Sequence, residues 1–252
     1  MKKIGFEEMR QLQYELLLEL DKVCKENGLT YLLAYGSLLG AVRHGGFIPW
    51  DDDVDVIMPM SDIDKLEQIY HSDKYSVVTC YNNKEHAFPF ARLYDNRTCT
   101  RCGKYTMLGI GIDIYPVVNV PQDVRDKFIE SVFKFVPRRQ FLIKLRKFLA
   151  KSGLWMGKTM SFNLLNHQCK KMLECVRQYD MTDTDSVFIC SGERHIIKKD
   201  LLFPPSEVLF NNERFVSPNN CHELLSVWYG DYMQLPPVEQ RKPYHSGDYY
   251  WK

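Results

Sequence analysis

Apolar residues recur at helical spacing through the first segment, Phe6 to Asn27. Met9, Leu12, Leu16, Leu20 and Val23 share one face there, and Gly28 stands where a left-handed residue would stop the helix. Tyr31-Leu32-Leu33-Ala34-Tyr35 is a short apolar run that suits a buried strand. Gly36-Ser37 breaks it as a turn, and Leu38 to His44 reads as a short helix. After the turn-rich Gly45-Gly46-Phe47-Ile48-Pro49, the run Asp53-Val54-Asp55-Val56-Ile57-Met58 alternates with period two and ends at Pro59. Ser61 is placed as the N-cap of a following helix. Tyr75 to Cys80, Phe88 to Tyr94 and Gly109 to Val118 read as strands, the last built on Ile110, Ile112 and Ile114. From Asp123 to Asp180 the pattern turns helical. The remainder reads as irregular, with a last helix near Cys221 to Tyr229. The expected class is α/β (α+β): a mixed sheet flanked by helices over residues 1–120, and a helical second half over 121–252 that completes the site in one compact unit.

Composition narrows the class without naming a function. The 252 residues are 45% hydrophobic and 26% charged, ordinary values that exclude a disordered or fibrous chain. Lys plus Arg is 33 against 32 for Asp plus Glu, so a uniformly basic nucleic-acid binder is not expected. No apolar run approaches the roughly 18 residues that span a bilayer, and Met1 to Phe6 leads into charged residues instead of a signal peptide. The eight cysteines then read as reduced thiols in a cytoplasmic protein, and the sequon Asn96-Arg97-Thr98 as chance.

The chemistry concentrates in Gly36-Ser37 and Asp51-Asp52-Asp53-Val54-Asp55. In a strand, residues two apart share a face, so Asp53 and Asp55 are expected to project together while Val54 and Val56 face the core. Two adjacent carboxylates repel unless a cation lies between them, and hard oxygen ligands suit Mg²⁺ or Mn²⁺. A third carboxylate, Asp113, sits between Ile112 and Ile114, where an unpaired acid is costly. Brought alongside by a neighbouring strand, it would complete a triad. The Gly36-Ser37 turn offers backbone N–H groups near a helix start as a phosphate cradle. An Asp-rich loop alone is usually a solvated turn. The combination of turn, same-face pair and apolar-flanked acid is that of a nucleotidyltransferase-type active site.

The run from Tyr35 to Asp55, with Gly36-Ser37-Leu38-Leu39-Gly40-Ala41 at one end and Trp50-Asp51-Asp52-Asp53-Val54-Asp55 at the other, resembles the signature of the LicD family. The resemblance continues through Ile112-Asp113-Ile114-Tyr115-Pro116 and Trp228-Tyr229-Gly230-Asp231-Tyr232 to Pro236-Pro237. It implies a nucleotidyltransferase-like fold and a phosphotransferase activity. The best-known members move phosphocholine from CDP-choline onto bacterial surface glycans, and fukutin-type relatives move ribitol phosphate from CDP-ribitol. It also implies Asp53 and Asp55 as metal ligands with Asp113 as third carboxylate. The expected donor is a CDP-alcohol, CDP-choline favoured, and the acceptor a glycan or its lipid-linked precursor. Two rivals stand: a nucleotidyltransferase that uses an NTP and releases pyrophosphate, and a non-catalytic membrane-associated binding module.

Further residues carry paired readings. Arg43 and His44 either hold a donor pyrophosphate or are surface groups beside the acidic run. Arg92 and Arg97 flank a strand within reach of the donor, and Asp51 and Asp52 either support the metal or shape the turn. Trp50, Trp228, Tyr229 and Tyr232 either box a quaternary ammonium or belong to the core, and His245 lies in a polar tail. Cys99-Thr100-Arg101-Cys102 has zinc-ligand spacing without a convincing second pair, although fukutin-type relatives carry a zinc loop in the comparable region. Residues 131–158 carry eight Lys or Arg and no Asp or Glu, interleaved with aromatic and aliphatic residues. Such a stretch either lies on an anionic membrane or packs one face on the core and leaves the basic face wet.

Overall fold

The computed structural model describes residues 1–252 other than 103–104, 121–122, 124, 153–154, 180–183, 192–195 and 244–247, and no side chains within 102–106 or 146–161. Helix α1 (Phe6–Asn27) buries Met9, Leu12, Leu16, Leu17 and Leu20, and it stops at Gly28, whose φ of 62° is left-handed. Leu29 N–H then closes on the Cys24 carbonyl at 2.9 Å, which satisfies a terminal acceptor. β1 (Leu32–Leu33), α2 (Tyr35–His44), β2 (Asp55–Pro59), α3 (Met60–Ile69), β3 (Tyr75–Val78) and β4 (Ala91–Asp95) follow. β5 (Thr98–Cys102), β6 (Tyr105–Leu108) and β7 (Gly111–Asn119) complete the first half. The helical stretch is α4 (Arg125–Phe133), α5 (Val136–Ser152) and α6 (Trp155–Arg177). Last come β8 (Ser186–Ile189), β9 (Ile196–Lys198), β10 (Ser206–Phe210), β11 (Glu213–Ser217), α7 (Cys221–Tyr229) and β12 (Tyr249–Trp251).

The architecture is a mixed α/β fold around a seven-stranded sheet, ordered β1-β2-β7-β4-β3, with β8 and β9 continuing from β7. β7 is the spine. Its first half pairs antiparallel with β4, its last residues pair antiparallel with β8, and β2 runs parallel beside it with Asp55 opposite Asp113. The largest core lies between this sheet and α1, α2 and α7, with Leu16, Leu17, Tyr31, Leu33, Leu38 and Ile57 fully buried. A second core joins α4 and α6 to β8 through Phe128, Val132, Cys169, Val176 and Phe188.

Four expectations need correction. β2 begins at Asp55, two residues later than the alternation suggested, and Asp55 to Met58 are all buried. A central strand covered on both faces does not alternate in burial, so Asp55 and Ile57 are as buried as Val56 and Met58. Gly36 and Ser37 are not a turn before a helix but lie in the first turn of α2, which begins at Tyr35. The segment after 180 is not irregular: β8 and β9 extend the main sheet, β10 and β11 form a hairpin, and β12 pairs with β5. These strands span three to five residues each, too short for periodicity to register. The helix expected to follow an N-cap at Ser61 instead starts at Met60, with Pro59 in the cap position and no side-chain cap.

Candidate active site

The site is assembled where α2 starts. Ala34 N–H donates to the Asp55 carbonyl at 3.0 Å, and Asp55 N–H donates to Ser37 Oγ at 2.9 Å, so the first turn of α2 brackets the backbone of Asp55. Ser37 is thus a buried bracket for the strand as well as a first-turn residue. Tyr35 enters the helix with a left-handed φ of 45°, a strained position for a bulky residue. A Cβ on Gly36 would stand 2.5 Å from Asp51 Oδ2, so only glycine lets that carboxylate close against the helix start. The first intrahelical bond is Leu38 N–H to the Ala34 carbonyl, which leaves the amides of Tyr35, Gly36 and Ser37 in the positive first turn of the helix beside the acidic loop.

Five carboxylates crowd this end of the sheet. Ligand oxygens of Asp51, Asp52 and Asp53 all lie within 4.8 Å of one another, because the loop before β2 folds its consecutive acids inward. Asp55 and Asp113 are register partners on β2 and β7, tied by Asp113 N–H to the Val54 carbonyl at 2.9 Å. Burial, and then the negative charge of Asp53, Asp113 and Asp51, holds the Asp55 carboxyl well above the usual carboxylate range. Burial and Asp53 push Asp51 up to about 8. Asp55 Oδ1 is buried with no hydrogen-bond partner. A buried acid oxygen without a hydrogen-bond partner among like charges suits a cation, and an all-oxygen donor set fits a hard divalent ion.

Asp113 is engaged differently from the others. Arg92 grips both of its oxygens, Nε on Oδ1 and Nη2 on Oδ2 at 2.8 Å, and Tyr115 donates to Oδ2 at 3.3 Å. The guanidinium lies over the rings of Phe88, Phe90 and Tyr94 at 5.0, 5.8 and 5.8 Å. Residues 28–156, about half of the chain and the part that holds the whole carboxylate cluster, match the profile of the LicD/FKTN/FKRP nucleotidyltransferase domain. The chain belongs to the LicD family. Lipopolysaccharide cholinephosphotransferase LicD of Haemophilus influenzae is 27% identical over 271 aligned positions, which cover 99% of each protein. Ribitol 5-phosphate transferase FKRP of Homo sapiens and of Mus musculus is 46% identical over 56 residues, 22% of this chain and 11% of theirs.

Not every residue singled out in the sequence joins this LicD-family site. Among the described acids the tight group is Asp51, Asp52 and Asp53, whereas Asp113 is shared with Arg92. Arg43 and His44 stand at the far end of α2, about 10 Å along the helix from Gly36. There Arg43 donates to the Tyr232 carbonyl at 2.6 Å and to His44 Nε2 at 3.0 Å. Arg43 lines a groove of about 440 Å³ with Trp50, Tyr229 and Tyr232, so the structure seats it on the C-terminal segment instead of on the carboxylates. Arg97 pairs with Asp95 and lies over Trp251. Of the four aromatic residues, Trp50, Tyr229 and Tyr232 share that groove and Trp228 does not. Trp228 instead ends a row, Phe90–Tyr115–Tyr35–Trp228, with centroid spacings of 4.6, 5.6 and 4.6 Å beside the acids. Cys99 is fully buried in β5; the side chain of Cys102, and His245, lie outside the described residues.

Two contributors were not foreseen. Tyr249 of β12 feels the charges of Arg92, Asp52 and Asp113 and lines a cavity of about 240 Å³ with His86, Phe88, Arg92 and Tyr94. Asn166 of α6 donates to the carbonyls of Cys80, Asn83 and His86 at 2.8, 3.1 and 3.0 Å, fixing the loop that leads to Phe88. Neither carries a local signal, since the partners lie some 80 to 200 residues away in the chain.

Proposed function

We propose that this LicD-family protein is a divalent-metal-dependent phosphotransferase that moves phosphocholine from CDP-choline to a hydroxyl of a surface glycan or its lipid-linked precursor. The observation that carries the reading is the near-full-length similarity to lipopolysaccharide cholinephosphotransferase LicD, together with a buried acid cluster whose Asp55 Oδ1 has no partner. Asp53 and Asp55, with Asp51 beside them and Asp113 across the strand pair, are the residues that would hold Mg²⁺ or Mn²⁺. Such a cation supplies charge neutralisation at the donor pyrophosphate. The chain itself contributes the first-turn amides of α2, which point positive partial charge toward phosphate, and Arg92, the guanidinium nearest the cluster. The acceptor hydroxyl attacks the β-phosphate, the bond to CMP breaks, and the cluster's carboxylates take the hydroxyl proton. Positioning and preorganised charge account for most of the acceleration.

The test is CMP release from CDP-choline by the purified protein, with Mg²⁺ or Mn²⁺ and with EDTA. Metal-dependent CMP and phosphocholine are expected, and Asp55→Asn is expected to abolish both while the protein still folds. Turnover of CDP-ribitol in place of CDP-choline would change the headgroup. Pyrophosphate release from an NTP, with no CDP-alcohol turned over, would replace the reading by nucleotidyl transfer.

We further propose a cytoplasmic location with peripheral contact to an anionic membrane. Among the described residues, Lys134, Arg138 and Lys144 are exposed around Phe141, which is 64% exposed, and no helix is long and apolar enough to cross a membrane. An exposed aromatic among cations suits an anionic lipid surface, where a lipid-linked acceptor would be found.

A further inference from the structure

Arg92, Asp113 and Asp55 stand side by side on three adjacent strands. Arg92 pairs with Asp113 in the β4–β7 register, and Asp113 pairs with Asp55 in the β2–β7 register. Directly paired residues share a face of the sheet, so the row reads cation, anion, anion. The cation engages one anion only. Its planar fork spans both oxygens of Asp113, while Asp55 Oδ1 has nothing. A carboxylate gripped along both oxygens has its strongest acceptor directions taken, so it cannot serve a metal fully while the fork is in place.

The guanidinium also has somewhere else to be. Phe88, Phe90 and Tyr94 present ring faces to it, and Nη1 reaches Tyr94 Oη at 3.3 Å. Arg92 also lines a cavity of about 240 Å³ together with Phe88 and Tyr94. Withdrawal from Asp113 therefore leaves the cation on three π-faces and a hydroxyl, a seat that offsets the lost pair.

We propose that Arg92 is the internal counter-ion of the carboxylate cluster, which holds Asp113 until a divalent cation takes its place. This rests on the reading of the cluster as a divalent-cation site. Arg92 is in this respect a positioning residue: it fixes the side chain of Asp113 opposite Asp55 and screens their repulsion, and it competes with the metal for the same oxygens. With a metal bound, the guanidinium would give up Asp113 and keep the aromatic faces it already lies over.

The experiment is a calorimetric titration of the whole chain with Mn²⁺, on wild type, Arg92→Lys, Arg92→Gln, Asp113→Asn and Arg92→Gln combined with Asp113→Asn, with thermal unfolding in EDTA and in Mn²⁺. Removing the competitor is expected to tighten Mn²⁺ binding about tenfold in Arg92→Gln. It is also expected to lower its stability in EDTA and to restore that stability in Mn²⁺. Arg92→Lys, which keeps the charge and loses the fork, is expected to bind more tightly than wild type as well. It carries the test if the glutamine variant does not fold. The gain is expected to vanish in the Asp113→Asn background. Equal or weaker Mn²⁺ binding by both Arg92 variants would overturn the exchange and leave Arg92 a fixed buttress. Tighter binding by Arg92→Gln alone, or a gain that persists without Asp113, would reduce the effect to unscreened charge and also overturn it. Wild type and variants that all fail to bind Mn²⁺ would overturn the cation reading of the cluster, and the exchange with it.

Discussion

Replacing Gly36 by alanine separates the site from the fold, because the two respond to one methyl group in opposite directions. The added Cβ would stand 2.5 Å from Asp51 Oδ2, 3.4 Å from its Cγ and 3.7 Å from Oδ1, and these are its three nearest neighbours. Ordinary contact requires that carboxylate to retreat by about 1 Å. The backbone has no objection: Gly36 is helical and has no positive φ, so alanine adds up to about 1 kcal/mol of helix stability. Thermal unfolding in EDTA is therefore expected to be unchanged or slightly raised. The site loses instead, since a misplacement of about 1 Å costs on the order of 100-fold in rate, or about 2.7 kcal/mol. Metal-dependent CMP release from CDP-choline and Mn²⁺ affinity measure that loss. Gly40→Ala is the control, because its Cβ would meet the Gly46 carbonyl oxygen at 2.4 Å and Ile48 N at 3.2 Å, backbone atoms that cannot swing aside. That variant is expected to lose about 1–3 kcal/mol of stability. Wild-type turnover and Mn²⁺ affinity in Gly36→Ala would refute a role for Asp51 in the site. A stability loss matching that of Gly40→Ala would refute the local account.

Three further outcomes follow from the same geometry. Burial holds His86 at about 4, below its ordinary 6.5, while its Nε2 meets the Phe90 carbonyl at 2.6 Å. Between those two pH values the unfolded chain binds a proton that the folded one refuses. Stability is thus fully present above 6.5 and falls on acidification, by up to about 3 kcal/mol, and His86→Leu is expected to flatten that slope in pH-dependent urea unfolding. Asn166→Leu leaves two buried carbonyls and one part-buried one without their donor and is expected to cost about 2–3 kcal/mol by the same denaturant measurement; a cost near zero would mean water replaces the amide. Replacing Lys134, Arg138 and Lys144 together by Gln is expected to weaken binding to phosphatidylserine-containing vesicles by about 3 kcal/mol, about 1 per charge, in a sedimentation assay. Unchanged binding would remove the membrane from the account.

The elements that could be read from the sequence are those whose cause is local. α1 ends at Gly28 and α7 runs from Cys221 to Tyr229 as the periodicity indicates, because an apolar face of period 3.6 and a left-handed stop are properties of neighbouring residues. The same holds for the acidic run and its glycine–serine partner, whose identity and order carry the resemblance to the family. The missed strands, β5, β6 and β8 to β12, are stable only through partners. Ser186 to Ile189 becomes a strand because β7 offers it an unpaired edge, and Tyr249 to Trp251 because β5 does.

What the amino-acid sequence alone determined was the inventory: which acids, in which loop, beside which helix start, and so the family and its chemistry. What only the tertiary structure decided was who shares whom. Asp51 moves from the margin into the tight group because Gly36 leaves room for its carboxylate. Asp113 comes beside Asp55 by strand register, yet it is held by Arg92 from the opposite neighbour. Arg43 is drawn off to Tyr232, some 190 residues away in the chain. A pairing between distant residues has no local signature, because its energy is spent in closing the loop between them, and only the folded sheet fixes which charges meet.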